Sequence, residues 1–549
     1  MTTNDGSGRA LPLERERLTG DGSPTDTGAA AAAGLDAKQR GYLRHLDNLS
    51  RRQRNDWSLM SGRTPNQMDF GGYRFQLAYA AYALALTHVH RLPAAPGVIR
   101  PTFQRLIAKI LEPEVWMYWR DSSKGGGLWN PHMSGLPEQW DPVAHDNIMY
   151  SAYVQSMALM YNVLFDDARY GEPGALTLEY FTPFWGDGGS PGGLDRKFEY
   201  DQFSLNQNLY WQMVQNGYLG IACEPNCVFQ ICNQPAIIGF RMHDLLTGGS
   251  TAAEVSRGFR QAWEQFGGPV AANGHLYLYA ASDSRTPIPN AGVMPWGDAW
   301  YGSLANTWNG DFVEKYYHSV IGTHLLEGPD GTLSVRPAKP RTFGTRPIEN
   351  DSCDFGWLSV WASEMGDRER LEGLLRHAER YMRPTTYEGG RFFPRHDVLS
   401  DAEGNYTCVE PLTGNVLLAY ASLNVPHGLR RLYERPWASG HFAEPNLTLV
   451  GDAVEVHRAH YDDARATLHF TLGVHVDGIG DPVVSVANVW DRGPWELRQD
   501  GRLVATSNGQ DVHEERSVDV RRREQHLDLR LARTEATSTF TLSWPGGAR

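Results

Sequence analysis

The sequence has few cysteines, no excess of basic charge and no long apolar segment. Five cysteines in 549 residues cannot build a disulfide scaffold, so we expect a reducing, cytoplasmic location. Lysine and arginine number 51 against 64 aspartates and glutamates, and the net charge of -13 argues against nucleic acid or an anionic membrane surface as a partner. No stretch reaches the roughly 18 apolar residues of a membrane span. The first 35 residues also lack the basic start and apolar run of a signal peptide.

Hydrophobic residues make up 41% of the chain, which is enough for large cores and at least two domains. Residues 1–35, rich in Gly, Thr, Asp and Ala, predict a disordered N-terminal tail. Between residues 36 and 436 apolar side chains recur at steps of three or four, as in the amphipathic helix that contains Phe75, Tyr79 and Tyr82. Further helices are predicted at 146–164, 205–217, 232–246, 252–266, 299–308, 311–325, 355–365, 367–382 and 414–422. This pattern predicts a mainly α fold, an (α/α)6-type barrel of helical hairpins.

After residue 437 the hydrophobic period changes from helical to alternating. Leu468, Phe470 and Leu472 alternate with polar residues, which is typical of a half-buried strand. Asp500-Gly501 predicts a hairpin, because a type I′ turn needs positive φ at both positions. We therefore predict a small antiparallel β-sandwich domain over residues 437–549, without a catalytic constellation of its own.

Three of the five cysteines, Cys223, Cys227 and Cys232, lie within ten residues. Their spacing does not fit a zinc site, which normally has four ligands and a C-x2-C pair, and the first following histidine is His243. No metal is expected there. Two interpretations stay open: three buried structural cysteines, or thiols that face one apolar cavity.

Two motifs, which follow one another along the chain in the same order as in the family, resemble the linalool dehydratase/isomerase family. Segment 221–233 contains C-E-P, six further residues and then C-N, and is similar to the family's active-site cysteine motif. Segment 141–150 resembles its D-P … N-I-M-Y signature, and weaker similarities lie at 74–82 and 295–300. The resemblance covers roughly residues 40–435 and none of the last hundred or so. It implies an α/α barrel enzyme of the lyase or isomerase class, independent of cofactors.

The resemblance also implies a set of catalytic residues. It makes Cys223 and Cys232 the catalytic thiols, while Cys227 has no counterpart and is taken as structural. In the family an aspartate from a neighbouring subunit completes the site, and Asp56 is its match here, which implies a homo-oligomer. A helix cap or a solvated acid is the alternative for Asp56. Removing water from a tertiary allylic alcohol needs an acid, a base and a dry pocket, and a buried thiol keeps its proton.

The departures from the family pattern concern the pocket. Tyr153 stands where the family has a histidine, and Phe75 and Trp300 replace two pocket tyrosines, so polar groups are lost and π-faces gained. This favours a cationic or larger hydrocarbon intermediate. The expected substrate is a small hydrophobic isoprenoid alcohol or alkene that undergoes dehydration or hydration, isomerisation or proton-initiated terpene cyclisation. Tyr153 joins the catalytic set, and the predicted substrate-binding residues are Phe75, Met149, Glu224, Asn233 and Trp300.

Two other functions stay open. A helical barrel followed by a β-sandwich is also the layout of polysaccharide lyases and glycoside-active enzymes, for which His132, Glu138, Asp141 and His145 could supply the acids and bases. A non-catalytic binding scaffold is the third possibility. A closed, apolar, cysteine-lined cavity would favour the hydrocarbon chemistry, whereas an open groove with paired acids would favour carbohydrate chemistry.

Overall fold

The structure is a computed structural model. It describes residues 26–62, 71–127, 129–182, 195–336, 341–343, 346–348, 353–434, 437–475, 480–509, 511–514, 519–523, 525–534 and 536–545. None of the helices in these ranges is long and apolar enough to span a bilayer.

The α-helices follow one another along most of the chain up to residue 434. They are α1 (Asp26–Ala33), α2 (Ala37–Arg51), α3 (Tyr73–His90), α4 (Pro96–Ile110), α5 (Pro113–Trp116), α6 (Tyr118–Ser122), α7 (Ile148–Phe165), α8 (Gln202–Gln215), α9 (Gln234–Thr247), α10 (Thr251–Glu264), α11 (Pro295–Ala305), α12 (Gly310–His324), α13 (Cys353–Glu364), α14 (Arg368–Tyr381), α15 (Leu418–Leu423) and α16 (Gly428–Glu434). A π-helical turn at Thr413–Leu417 leads directly into α15.

Six of these helices form a closed inner ring. Each contacts the next in the order α3, α7, α9, α11, α13 and α15, and α15 contacts α3 again. An outer helix precedes each inner one along the chain, in the order α2, α4, α8, α10, α12 and α14. The chain therefore forms six helical hairpins arranged in a ring, and the predicted (α/α)6-type barrel is confirmed.

Inner and outer helices differ in their surfaces because their surroundings differ. Every residue of α11 and of α13 is buried, and α3 keeps partial exposure only at Tyr73 and Val89. The expectation that α3 is amphipathic is wrong, because α3 is enclosed on all sides and buries polar side chains such as Arg74 and Gln76 along with its apolar ones. The outer helix α14 has the amphipathic pattern and buries Leu374 and Ala378 on one face.

Short antiparallel strands connect the helices, and longer strands follow them. The short ones are β1 (Leu178–Tyr180), β2 (Arg196–Phe198), β3 (Cys227–Phe229), β4 (Tyr277–Ala281), β5 (Thr286–Pro289), β6 (Leu325–Glu327), β7 (Leu333–Val335), β8 (Arg341–Phe343), β9 (Arg346–Ile348), β10 (Thr385–Tyr387) and β11 (Gly390–Phe392). The C-terminal ones are β12 (Asn446–Val450), β13 (Val454–Asp462), β14 (Thr467–Val474), β15 (Val483–Ala487), β16 (Trp495–Gln499), β17 (Arg502–Ser507), β18 (Val512–Glu514), β19 (Asp519–Arg523), β20 (His526–Arg530) and β21 (Ser538–Ser543).

The C-terminal strands form two antiparallel sheets. One has the order β12-β15-β20-β19 and the other β13-β14-β21-β16-β17-β18. The turn between β16 and β17 has Asp500 at φ 49° and Gly501 at φ 80°, the positive pair that a type I′ hairpin requires. The predicted antiparallel β part is therefore present, and its first strand begins 12 residues after α16 ends at Glu434.

The N-terminal segment corrects one prediction. Residues 26–35 were expected in a disordered tail, but Asp26–Ala33 form α1, and the amide of Leu35 donates a hydrogen bond to the carbonyl of His457 on β13 (2.8 Å). Alanine has the highest helix propensity, and burial of Ala31 and Leu35 adds the tertiary contact that a short helix needs. Residues 1–25 lie outside the described part of the chain.

Candidate active site

The cysteine motif folds into a short, tightly bonded loop. The amide of Cys227 donates to the carbonyl of Glu224 and the amide of Cys223 to the carbonyl of Cys227, both at 2.9 Å. Pro225 and Asn226 occupy the middle of this turn, and Asn226 has φ 70°. Proline followed by a residue of positive φ is the pattern of a type II turn, and asparagine tolerates that conformation. The loop therefore holds Cys223 and Cys227 in fixed positions, with Cys227 opening β3.

Asn233 closes the loop from its far end. Its side-chain Oδ1 accepts from the amide of Ile221 (2.8 Å), and its Nδ2 donates to the carbonyls of Ile221 (3.0 Å) and Phe229 (2.9 Å). Gly220, at φ +127°, lies so close to this side chain that a Cβ at Gly220 would be 2.8 Å from Nδ2 of Asn233. The side chain of Asn233 therefore positions the loop, and its predicted contact with the substrate stays a prediction.

The second motif prepares the start of α7. Asn147 has φ 56° and directly precedes the first residue of the helix. Its side-chain Nδ2 donates to the carbonyl of Pro142 (2.9 Å), and its Oδ1 accepts from the hydroxyl of Tyr118 (2.5 Å). The amide of Ile148 then donates to the carbonyl of Ala222, next to the first thiol (3.1 Å). This motif therefore fixes α7 against the cysteine loop.

The two predicted catalytic thiols meet inside the ring. Cys223 and Cys232 are both buried, and Cys232 is one of the groups that raise the pKa of Cys223. Burial raises the pKa of Cys223 well above its ordinary value, and Cys232 raises it further. Cys223 is therefore a protonated thiol at neutral pH and can act as a proton donor.

Aromatic side chains from four inner helices, α3, α7, α11 and α13, form a wall beside the thiols. The ring of Phe75 meets those of Tyr153 and Trp300 edge-on, with centroids 5.8 and 5.4 Å apart. The hydroxyl of Tyr79 is 3.2 Å from that of Tyr153 and accepts from Nε1 of Trp300 (2.5 Å). Trp357 stacks on Trp300 at 4.7 Å. With Cys223 and Cys232, these five residues are called the thiol–aromatic cluster below.

The pKa shifts connect the wall to the thiols. Burial is the main cause that raises the pKa of Tyr153 well above 10, followed by the charges of Tyr79 and Cys232. Cys232 also contributes to the raised pKa of Tyr79, after burial and the effect of Tyr82. These hydroxyls stay protonated and can donate, but they cannot act as bases at neutral pH.

A charged pair lies at one end of this cluster. The guanidinium of Arg74 lies over the rings of Phe75 (4.3 Å) and Tyr118 (4.0 Å), and its Nη2 is 3.5 Å from the sulfur of Met149. Glu224 has an Oε2 atom that is buried and has no hydrogen-bond partner among the described residues. Burial raises the pKa of Glu224, and Arg74 partly opposes that rise.

Arg74 and Tyr118 lie beside the thiol–aromatic cluster, although neither was predicted there from the sequence. Arg74 could have been noticed as a positive charge in a mostly apolar helical segment. Charged side chains are rarely buried without a partner or a function, and Arg74 is buried. Tyr118 lies on the short helix α6 and gave no signal, because only the folded chain brings it to Arg74.

The family model for linalool dehydratase/isomerase matches residues 74–399, more than half of the chain. The chain belongs to the linalool dehydratase/isomerase family. The matched segment contains all of the thiol–aromatic cluster together with Arg74, Met149 and Glu224, and it does not reach the C-terminal sheets.

Solved structures outside this family overlap the chain only loosely. A novel alpha-amylase from Clostridium perfringens is 9% identical with a TM-score of 0.39, covering 70% of this chain and 98% of that one. An alpha-1,6-mannanase from Salegentibacter sp. HEL1_6 is 13% identical with a TM-score of 0.38, covering 72% and 100%. Overlaps of this size carry no argument about a linalool dehydratase/isomerase family member.

Asp56, matched to the aspartate that the family takes from a neighbouring subunit, lies apart from the cluster within its own chain. It follows α2, its carboxylate accepts from the amide (3.0 Å) and hydroxyl (2.6 Å) of Ser58, and it faces Arg52 at 3.8 Å. These bonds lower the pKa of Asp56, and its side chain is 39% exposed. Asp56 is thus an ionised, accessible carboxylate, and its predicted role across subunits stays a prediction.

The acids of the carbohydrate alternative do not form a pair within the described ranges. Glu138 accepts from the indole of Trp140 (2.6 Å) and pairs with Lys124 (3.1 Å), while Asp141 accepts from the hydroxyl of Tyr200 (2.8 Å) and from backbone amides. His132 and His145 have side chains that are 61% and 66% exposed. Each group has its own local partner, so the arrangement does not supply the carboxylate pair that such enzymes use.

Proposed function

We propose that the protein is an acid/base lyase or isomerase that adds a proton to, or removes water from, an isoprenoid-like alkenol or alkene. The observation that carries the proposal is the pair of buried thiols, Cys223 and Cys232, beside a wall of aromatic rings in a member of this family. Proton transfer then proceeds through the chain's own side chains. The fit to an apolar substrate follows from the side chains that surround the pair.

The thiol pair supports a balanced proton cycle. Cys223 gives its proton to the substrate hydroxyl, the C–O bond breaks, and water leaves with an allylic cation behind it. An adjacent C–H bond of the cation then gives its electrons to a new double bond and its proton to the thiolate. The neighbouring Cys232 shares the charge of that thiolate, and the pair ends with the protons it had at the start. Hydration is the same sequence reversed.

The surroundings match the two ends of such a substrate. The rings of Phe75, Tyr153 and Trp300 offer π-faces or edges to an apolar chain, and a cation over such a face gains roughly 0.5–2 kcal/mol. Arg74 and the unpartnered Oε2 of Glu224 form the polar end, where a hydroxyl or water would bind. A raised pKa at Glu224 lets it donate as well as accept.

Cysteine variants test the proposal. With isoprenoid alcohols and alkenes as substrates and gas chromatography–mass spectrometry as the readout, we expect turnover by the wild-type protein. Cys223→Ala and Cys232→Ala should each reduce it by about a hundredfold or more, as for a lost general acid or base. Cys227→Ala, in the same loop but in β3 opposite Ala281, is the matched control and should keep activity. Full activity in the Cys223→Ala, Cys232→Ala double variant would end the proposal.

A further inference from the structure

Three buried side chains outside the thiol–aromatic cluster converge on one another. His275 lies just before β4, Asp298 on the first turn of α11, and His324 at the last position of α12. Oδ2 of Asp298 is 2.7 Å from Nδ1 of His275 and 2.8 Å from Nε2 of His324. The three potential ligand atoms all lie within 4.8 Å of one another, the only such group of three or more among the described residues. We call these residues the histidine–aspartate cluster.

The carboxylate of Asp298 is held so that one oxygen faces both imidazoles. Its other oxygen, Oδ1, accepts from the hydroxyl of Tyr316 (2.7 Å) and from the amide of Leu276 (3.0 Å). Hydrogen bonds that fix the second oxygen are the usual support of a carboxylate that binds a metal through the first. Oδ2 and the two imidazole nitrogens are therefore oriented toward a common point by the fold.

The charge balance also favours a cation at this point. The side chain of Asp298 has no exposed surface and that of His324 has 1%, so a carboxylate anion here is far from water. A buried charge is retained only when it is paired or bound to a metal. A divalent ion shared by the three groups supplies such a partner for the carboxylate.

We propose that His275, Asp298 and His324 bind one divalent transition-metal ion, zinc by the chemistry of the ligands. Two imidazoles and one carboxylate are a three-ligand zinc set that leaves the fourth position for water. The ion joins the turn before β4 to α11 and α12, so it fixes the first turn of the helix that carries Trp300. Entry is through His275, whose side chain is the most exposed of the three at 10%. The expected effect is on stability and on the position of α11.

Metal analysis and titration test this proposal on the full chain. Protein purified without chelator should contain about one zinc per chain by elemental mass spectrometry. After chelator treatment, calorimetry with zinc chloride should show one site per chain, and the melting temperature should rise when zinc is restored. Cobalt(II) should bind in zinc's place and give visible absorption bands of a four-coordinate site. All of these measurements use the wild-type protein.

Variants locate the site. His275→Gln should weaken zinc binding by about tenfold or more, and Asp298→Asn should do the same. His377→Gln is the matched control: His377 is also a buried histidine, but its Nε2 bonds the carbonyl of Tyr406 (2.8 Å), and zinc binding should not change. The proposal is overturned if the wild-type protein holds no metal and shows neither zinc heat nor cobalt bands. It is also overturned if well-folded His275→Gln binds zinc as tightly as the wild type.

Discussion

Tyr153 is one of three residues of the thiol–aromatic cluster, with Phe75 and Trp300, at which the resemblance implies a departure from the family pattern. Its hydroxyl meets that of Tyr79, whereas its ring faces Phe75 and shares the site with Cys232. The hydroxyl thus has a protein partner, so we expect the ring to matter more. Tyr153→Phe should keep most of the turnover. Tyr153→Ala should slow it by about two- to thirtyfold, the equivalent of 0.5–2 kcal/mol of cation–π stabilisation.

Product analysis separates the roles of Tyr153. Tyr150→Phe is the control on the same helix, since it removes a buried hydroxyl bonded to the carbonyl of Ile110 (3.0 Å) and should leave the product profile unchanged. Tyr153→His restores the family residue and should shift activity toward dehydration of small monoterpenols. A sharp loss in Tyr153→Phe would show that the hydroxyl carries the function. An unchanged rate and profile in Tyr153→Ala and Tyr153→His would remove Tyr153 from the site.

At the scale of elements, the contact between the helical ring and the sheets depends on α4 and β12. Gly97, on the first turn of α4, packs on the backbone of β12, where a Cβ would lie 2.6 Å from the carbonyl oxygen of Thr448. A backbone cannot move aside as a side chain does. Gly97→Ala should therefore lower the free energy of unfolding by about 1–3 kcal/mol, measured by chemical denaturation.

At a second glycine, Gly322, substitution by alanine is expected to raise the free energy of unfolding instead of lowering it. Gly322 lies in α12 with open space where a Cβ would be, so Gly322→Ala should stabilise the protein by about 0.8–1 kcal/mol through helix propensity alone. If Gly97→Ala leaves the free energy of unfolding unchanged or raises it, as expected for Gly322→Ala, the contact at Gly97 does not hold the two elements together.

At the scale of the whole molecule, the division of the chain and its assembly are the open proposals. Helices end at Glu434 and the β-sandwich begins at Asn446, so we propose domains at 36–436 and 437–549. Arg51 of α2 pairs with Asp452 (2.7 Å) and Arg40 with Glu455 (2.7 Å) across this boundary. The exposed pair of Arg51 and Asp452 adds little stability, so we expect the close packing at Gly97 to carry more of the contact than this pair does.

Subunit mixing tests the assembly. We propose that Asp56 completes the thiol site of a neighbouring copy, because it is ionised and partly exposed on its own chain. Asp56→Ala and Cys223→Ala should each be nearly inactive. Oligomers made from equal amounts of both should regain about a quarter of wild-type activity, since random mixing places an intact Asp56 beside an intact Cys223 in that share of sites. Mixtures that stay inactive contradict the shared site.

The sequence by itself determined much of the local structure of this protein. Helical periodicity predicted the elements of the ring, alternation predicted the strands, and Asp500-Gly501 predicted its hairpin. These signals are local because a helix or a turn is selected by side chains within a few residues. The cysteine motif predicted that Cys223 and Cys232 would be buried together, and the structure buries both, whereas their catalytic role stays a prediction.

Only the tertiary structure decided which distant residues meet. Arg74 reaches Tyr118 and Met149 because α3, α6 and α7 pack together, and no local pattern predicted the backbone hydrogen bonds of Asn233. The histidine–aspartate cluster joins residues 23 and 26 positions apart on three elements, a spacing without any motif. Such contacts depend on how the ring closes, and closure results from packing summed over the whole chain rather than from any short pattern.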